Sequence, residues 1–435
     1  MAKKNKHRDR PVTQNVQDVL AKPASIPAVA RPTQGSLIAD PAPMQAPVTV
    51  AAAAPPSVAA AMPAEMRGLL GSDDPNVIRM LGPDGKLLPG AKPLMDDATL
   101  LAVHDTMRLV RSLDERMITL QRQGRAGFYG ACTGEEASVL GSASALRAMD
   151  WIVPALRQNS AMLLRGFPLT QYVGQVLGNS GDVMKARNMP SHHAATSVRQ
   201  VSWSSCIANQ LMHAVGIGMA IRARQENEVV VGYVGDGGTS EGDFHVAMNL
   251  AGLWKPPVVL ICQNNQWAIS VPLERQTLVT RIADKAVAYG IPGIRVDGND
   301  VLAVHAVVHE AVERARSGGG PTFIEALTYR VGAHSTSDDP SRYRDESITE
   351  RWKLLDPLRR LEAYLKARGL RGDAEVEELR KRCVANVDAA VREAEAMPPV
   401  PAASLIDDVM AEPLPSLVEQ WEAWGHLPTT REAGH

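Results

Sequence analysis

Residues Val229 to Ala268 read VVVGYVGDGGTSEGDFHVAMNLAGLWKPPVVLICQNNQWA. Two apolar runs stand out, Val229 to Val234 and Val258 to Cys262. Each has the length and β-branched content of a strand buried on both faces. A helical stretch, roughly 241 to 252, lies between them. Gly235-Asp236-Gly237 follows the first run directly, and Asn264-Asn265 closes the second after 26 intervening residues. A crossover of that length carries the chain over a helix and back to a neighbouring parallel strand. Asp236 and Asn265 are therefore expected side by side at the carboxyl edge of a sheet, where such sheets bind ligands. Gly235, Gly237 and Gly238 let the backbone approach a phosphate closely, and the helix that follows aims its N-terminal N–H groups at the same place. One carboxylate from Asp236 and one amide oxygen from Asn265, with the Trp267 backbone carbonyl available as a third ligand, suit Mg2+. This hard ion takes few protein ligands and keeps phosphate oxygens. Diphosphate and Mg2+ are expected together.

Outward from this unit the alternation continues. Ile294 to Val296 and Thr322 to Thr328 read as two more strands, with helical stretches near 280–289 and 300–317. The expected fold is α/β: a mostly parallel sheet with helices on both faces. Upstream, Asp97 is placed to cap a helix carrying Leu100, Val103, Met107, Val110, Leu113, Met117 and Leu120, with Gly124 as its stop. Downstream, about 347 to 395 is charged and helical. Residues 1–64 are rich in Ala and Pro, a composition that buries too little apolar surface to offset ordering entropy. They are expected to form a disordered arm, leaving one domain over 65–420 and a tail over 421–435.

The 435 residues are 45% hydrophobic, enough for a large core, and their formal net charge of −2 supplies no global field for nucleic acid. No apolar run reaches the ~18 residues that span a bilayer, and no apolar signal core follows the basic start. Cys132, Cys206, Cys262 and Cys383 form no CxxC pair and read as reduced thiols. A cytoplasmic location is expected: bacterial cytosol, or the mitochondrial matrix in a eukaryote.

The pairing of GDG and NN across 26 residues resembles the thiamine-diphosphate signature. Gly235–Gly252, Gln263–Ser270 and the block YRVGAHSTSDDPSRYR over Tyr329–Arg344 resemble the α subunits of 2-oxo acid dehydrogenases. The likeness is greatest to the branched-chain (3-methyl-2-oxobutanoate) enzymes, with the pyruvate or acetoin enzymes as the alternative. It extends from about 77 to 420. It implies thiamine-diphosphate-dependent oxidative decarboxylation of a 2-oxo acid, with acyl transfer to the lipoyl domain of a dihydrolipoamide acyltransferase. It also implies an α2β2 heterotetramer, because the glutamate that activates the pyrimidine comes from the β subunit. A binding or regulatory protein that kept the fold and lost catalysis is the rival reading.

The resemblance assigns further residues. Arg157 in Pro154-Ala155-Leu156-Arg157 matches the arginine that holds the diphosphate, while Leu156 stands where an aromatic residue is usual. Gln263 stands where branched-chain members often carry a second arginine. Ser205 is placed to contact the aminopyrimidine, and Ile207 to wedge beneath the bent thiamine. Ser204, Asn209 and Gln210 could hold a structural K+, although Asn209 replaces a hydroxyl residue. His334 matches the histidine near the diphosphate and the substrate entrance. His192, beside His193, either reaches the active site or faces a partner. Asp338, Tyr343 and Arg344 are expected to order the loop around Ser335, the position phosphorylated in mitochondrial relatives. Glu135 and Glu136 after Gly134 read as a helix N-terminus favoured by the dipole rather than as an acid/base pair.

Overall fold

The computed structural model describes residues 74–402, 404–407, 410–412 and 414–424. The Ala/Pro-rich arm lies outside the described residues. The strands are β1 (Val77–Ile78), β2 (Trp151–Val153), β3 (Val230–Gly235), β4 (Val258–Asn264), a small antiparallel hairpin β5 (Trp267–Ala268) and β6 (Val271–Pro272), then β7 (Gly293–Asp297) and β8 (Thr322–Leu327). Six of them form one all-parallel sheet in the order β1-β7-β8-β4-β3-β2. The four expected strands are present within a residue or two. β1 and β2, with two and three residues, are too short to carry a period and owe their existence to pairing with β7 and β3.

The helices that matter here are α1 (Asp97–Arg122), α2 (Glu136–Ala143), α3 (Asn209–Arg224), α4 (Gly242–Trp254), α5 (Val301–Arg316), α6 (Glu346–Lys353), α7 (Pro357–Ala367) and α8 (Asp373–Glu395). The cap of α1 is Asp96, whose side chain accepts from Thr99 N, rather than Asp97, which is the first helical residue. The stretch near 280–289 is a 3-10 helix, Ile282–Tyr289, not an α-helix. The charged stretch 347–395 breaks into α6, α7 and α8. Asp356 starts α7 by accepting from Leu358 N and Arg359 N, with Pro357 in its first turn.

Alternation along the central strands explains why they are apolar throughout. Val231, Tyr233, Val259 and Ile261 face one core with Leu140 of α2 and Val304 and Val308 of α5. Val230, Val234, Val258 and Leu260 face the other, with Leu211 and Val215 of α3 and Phe244 and Met248 of α4. Each such side chain contributes about 2 kcal/mol by leaving water. Among the described residues no helix is long and apolar enough to cross a membrane.

α1 also positions the loop that leads into α2. Its Asp114 carboxylate, 1% exposed, accepts from Tyr129 OH, Cys132 N, Thr133 N and Thr133 Oγ1 at 2.7–2.8 Å. Burial outweighs these bonds and pushes the Asp114 carboxyl up to about 6. The unfolded chain releases this proton near the ordinary value, so between the two values the unfolded state binds fewer protons. Stability from this group therefore falls as pH rises through that window. Asp114→Asn has no such dependence. Its destabilisation, read from denaturant unfolding, is expected to be larger at pH 5 than at pH 7.5 by about 1 kcal/mol. An equal cost at both pH values would contradict the assignment.

Candidate active site

β3 and β4 run in register, Gly235 opposite Gln263, so their carboxyl ends stand together. Asn265 N donates to Asp236 Oδ1 at 3.3 Å, which places the two residues side by side as the spacing requires. Asp236 is 1% exposed and its Oδ2 has no hydrogen-bond partner. Burial pushes its carboxyl up to about 7. A buried carboxylate oxygen without a partner is costly, and a cation on the open oxygen satisfies it. A Cβ added at Gly235 would project into open space, so no packing demand explains the glycine, and the room remains for a ligand. Asn265 Oδ1 accepts from Trp267 N at 3.2 Å. The Trp267 carbonyl has Arg330 Nη1 at 3.5 Å, which leaves it one free lone pair. Among the described residues no group of three His, Cys, Asp or Glu converges as for a softer metal. The donor set at the edge is one carboxylate with amide and carbonyl oxygens, which suits a hard divalent ion.

Arg157 follows β2 at the same edge and is 6% exposed. Its Nε pairs with Glu135 Oε1 at 3.3 Å, Nη1 donates to the Ala131 carbonyl, and Nη2 donates to the His334 carbonyl at 2.8 Å. The adjacent Leu156 packs against Gly130, where a Cβ would meet Leu156 Cδ1 at 2.7 Å. The aliphatic side chain thus fills space that a planar ring would occupy differently. Gln263, 2% exposed, donates from Nε2 to Glu135 Oε2 at 2.6 Å and accepts from Gln158 Nε2 through Oε1.

The loop carrying His334 docks on this group. His334 N donates to Asp338 Oδ2 at 2.7 Å, and Tyr343 OH donates to the same oxygen. Arg330 Nη2 donates to Tyr343 OH at 2.8 Å, and Arg344 donates to the carbonyls of Arg330, Val331 and Gly332. Asp338, Tyr343 and Arg344 order the segment as expected. Burial, then the nearby Arg157 and Arg330, pushes the His334 imidazole down to about 4, so it is neutral near pH 7. Ser335 is half-buried beside it.

A second group approaches from before α3. His192 Nε2 lies 2.7 Å from Ser205 Oγ, and Nδ1 lies 3.1 Å from the Pro190 carbonyl. The carbonyl can only accept, so Nδ1 carries the proton and Nε2 accepts from the Ser205 hydroxyl. His192 stacks on Trp203 with ring centroids 3.8 Å apart. His193 is buried and bonds only backbone carbonyls, those of Ser191 and Tyr172. Ile207 is 44% exposed and lies against Gly238, where a Cβ would meet Ile207 Cγ2 at 3.0 Å. The next residue, Ala208, has φ of 74°, a left-handed conformation unusual for a residue with a Cβ. That turn starts α3 and leaves Ile207 projecting. Ser204 Oγ accepts from Asn209 Nδ2 at 3.3 Å, while Asn209 Oδ1 and Gln210 Oε1 are buried without partners. Gln210 Nε2 is tied to the Tyr233 carbonyl at 3.0 Å.

Three further residues join this site. Glu135 joins Arg157, Gln263 and Asn265, Gln158 extends the chain through Gln263, and the 1%-exposed Arg330 binds the Ile269 carbonyl at 2.6 Å. The dipole reading is right for Glu136. It lies in the first turn of α2, where its carboxylate accepts from Gly134 N and Arg111 Nε. Glu135 precedes the helix without capping it and turns toward the sheet edge.

A parallel α/β sheet with a Gly-Asp-Gly turn, an adjacent asparagine and a buried arginine at one edge suits a diphosphate bound with a hard divalent ion. The sequence profile described as dehydrogenase E1 component matches residues 104–403, and the chain belongs to that thiamine-diphosphate-dependent family of oxidoreductases. It is 44% identical over 307 residues to the 3-methyl-2-oxobutanoate dehydrogenase subunit alpha of Mycobacterium tuberculosis, covering 70% of this chain and 81% of that protein. It is 39% identical over 344 residues to the mitochondrial 2-oxoisovalerate dehydrogenase subunit alpha 2 of Arabidopsis thaliana, covering 79% of this chain and 73% of that one. To the pyruvate dehydrogenase E1 component subunit alpha of Staphylococcus epidermidis it is 38% identical over 351 residues, covering 80% and 92%.

Proposed function

We propose that this chain is the α subunit of a branched-chain 2-oxo acid dehydrogenase, working in an α2β2 heterotetramer that passes its acyl group to the lipoyl domain of a dihydrolipoamide acyltransferase. The observation that carries the cofactor reading is the buried, unpartnered Oδ2 of Asp236 at the carboxyl edge, beside the open space at Gly235. The substrate reading is supported by the likeness to the 3-methyl-2-oxobutanoate and 2-oxoisovalerate subunits.

Asp236 and Asn265, with the free lone pair of the Trp267 carbonyl, hold Mg2+. Gly235, Gly237 and Gly238 give a diphosphate backbone room, and Arg157 supplies the positive charge beside it. Thiamine diphosphate, when bound, supplies the electron sink for decarboxylation. Ile207 presents an apolar surface that supports the ring and excludes water. Ser205, its proton directed at His192 Nε2, turns its lone pairs outward to accept a hydrogen bond from the ligand. His334, neutral near pH 7, can accept at one ring nitrogen and donate a hydrogen bond from the other. The buried, unpartnered oxygens of Asn209 and Gln210 are the donor type a structural K+ would take, with Ser204 bonded to Asn209 as a further oxygen. The catalytic domain spans 65–420, the arm 1–64 lies outside the catalytic unit, and the protein works in the bacterial cytosol, or in the mitochondrial matrix if its source is eukaryotic.

Co-expression with its β subunit tests this reading. The α chain alone is expected to show no turnover. The assembled enzyme is expected to favour 3-methyl-2-oxobutanoate over pyruvate in kcat/KM by about ten- to thirtyfold, since two extra methyl or methylene groups are worth about 1–2 kcal/mol in an apolar pocket. A chain starting near Glu65 is expected to match the full one. A tenfold preference for pyruvate would move the protein to the pyruvate class.

A further inference from the structure

Glu135 is used by none of the roles assigned above, yet its side chain touches Arg157 and Asn265, which carry two of them, and Gln263 beside them. It is 1% exposed and stands at the N-cap of α2 without making a capping bond. Its carboxylate accepts from Gln263 Nε2 at 2.6 Å and from Asn265 Nδ2 at 3.1 and 3.2 Å, and it pairs with Arg157 Nε at 3.3 Å. A carboxylate has only acceptor sites, and here each hydrogen-bonding or ion-pair partner is a donor. Holding Nδ2 of Asn265 turns its Oδ1 the other way, toward Trp267 N and the metal side. Holding Nε of Arg157 fixes the plane of the guanidinium and so the direction of its remaining N–H groups. Holding Nε2 of Gln263 turns its Oε1 to Gln158.

We propose that Glu135 is a positioning residue for the diphosphate and metal end of the cofactor: one buried carboxylate that orients Arg157, Asn265 and Gln263 before the cofactor arrives. This rests on the cofactor reading above. Outer partners of this kind fix the orientation of the groups that touch the ligand, and their loss typically weakens binding ten- to a hundredfold. An amide in place of Glu135 keeps the volume but sets its own N–H groups against at least one of the donors, so that neighbour must rotate.

The test uses the assembled α and β subunits freed of cofactor, titrated with thiamine diphosphate at several Mg2+ concentrations and followed by calorimetry. The unfolding midpoint without cofactor is recorded for each variant. E135Q is expected to raise the Kd for thiamine diphosphate by roughly ten- to a hundredfold and to demand more Mg2+ for half-saturation. A merely structural role lowers the unfolding midpoint and leaves both binding readouts where they were, and that result overturns the proposal. R157M combined with E135Q removes both buried charges, so it decides the case even if E135Q alone does not assemble. Its loss of affinity is expected to be smaller than the sum of the two single losses, because part of the Glu135 effect runs through Arg157 and only the part through Asn265 and Gln263 remains. Losses that add independently overturn the proposal. A wild-type enzyme that fails to bind thiamine diphosphate with Mg2+ overturns the cofactor reading itself, and this inference with it. Wild-type binding matched by E135Q overturns only the latter.

Discussion

Asp236→Ala is expected to leave a folded subunit that no longer binds thiamine diphosphate in a Mg2+-dependent way. The Asp236 carboxylate has a buried oxygen with no protein partner to lose, whereas the nearby Glu135 carboxylate is taken up by Arg157, Gln263 and Asn265. Removing a charged donor from a buried ionic contact costs about 3 kcal/mol, roughly a hundredfold in affinity. Without cofactor the same change removes a buried carboxylate one of whose oxygens has no partner. The variant is therefore expected to be at least as resistant to denaturant as the metal-free parent. Titration with thiamine diphosphate, with and without Mg2+, checks the first half, and urea unfolding of the cofactor-free protein checks the second. Affinity equal to the parent's would end the assignment of Asp236 as the metal ligand.

Arg157→Ala is expected to fail in the opposite manner, by losing stability as well as binding. Its guanidinium is buried, balances Glu135, and holds the carbonyls of Ala131 and His334. Removing one partner of a buried pair strands the other, at a cost of about 3–5 kcal/mol. The loop bearing His334 also loses a tether, so backbone amides around Gly332–Asp338 are expected to exchange faster with solvent. Arg157→Lys is expected to recover little, because an ammonium cannot reproduce a planar fork that reaches three acceptors. Urea unfolding and hydrogen exchange of the cofactor-free protein read both effects. Unchanged stability in Arg157→Ala would mean that Glu135 is balanced by other groups.

The two neighbouring glutamates, alike as text, part company in the folded chain. The GDG–NN spacing is legible because the turn, the crossover and the paired strands are local consequences of nearby residues, and parallel pairing then aligns Asp236 with Asn265. For Gly134-Glu135-Glu136, helix-start chemistry accounts for both acids equally well. Only tertiary packing separates them: Glu136 stays in the first turn with Arg111, while one position earlier the backbone is not yet helical and Glu135 points at β4. The same one-residue ambiguity moved the cap of α1 from Asp97 to Asp96, since either acid can start a helix. Arg330 sits inside a block whose loop residues were legible, but its burial follows from the long-range approach of β5, which no local pattern encodes. Likewise β1 and β2 exist through partners far along the chain.

That last feature bears on how the molecule is made. Val77 pairs with Arg295, and the Asp300 carboxylate accepts from Met80 N and Leu81 N at 2.6 Å. Synthesis at 5–20 residues per second puts about 10–40 s between the appearance of β1 and that of its partner on the ribosome. During that interval the first strand has no edge to join, and the acid that will receive its amides is still untranslated. A nascent chain halted before β7 thus carries an orphan strand, with the Met80 and Leu81 amides still lacking their acceptor.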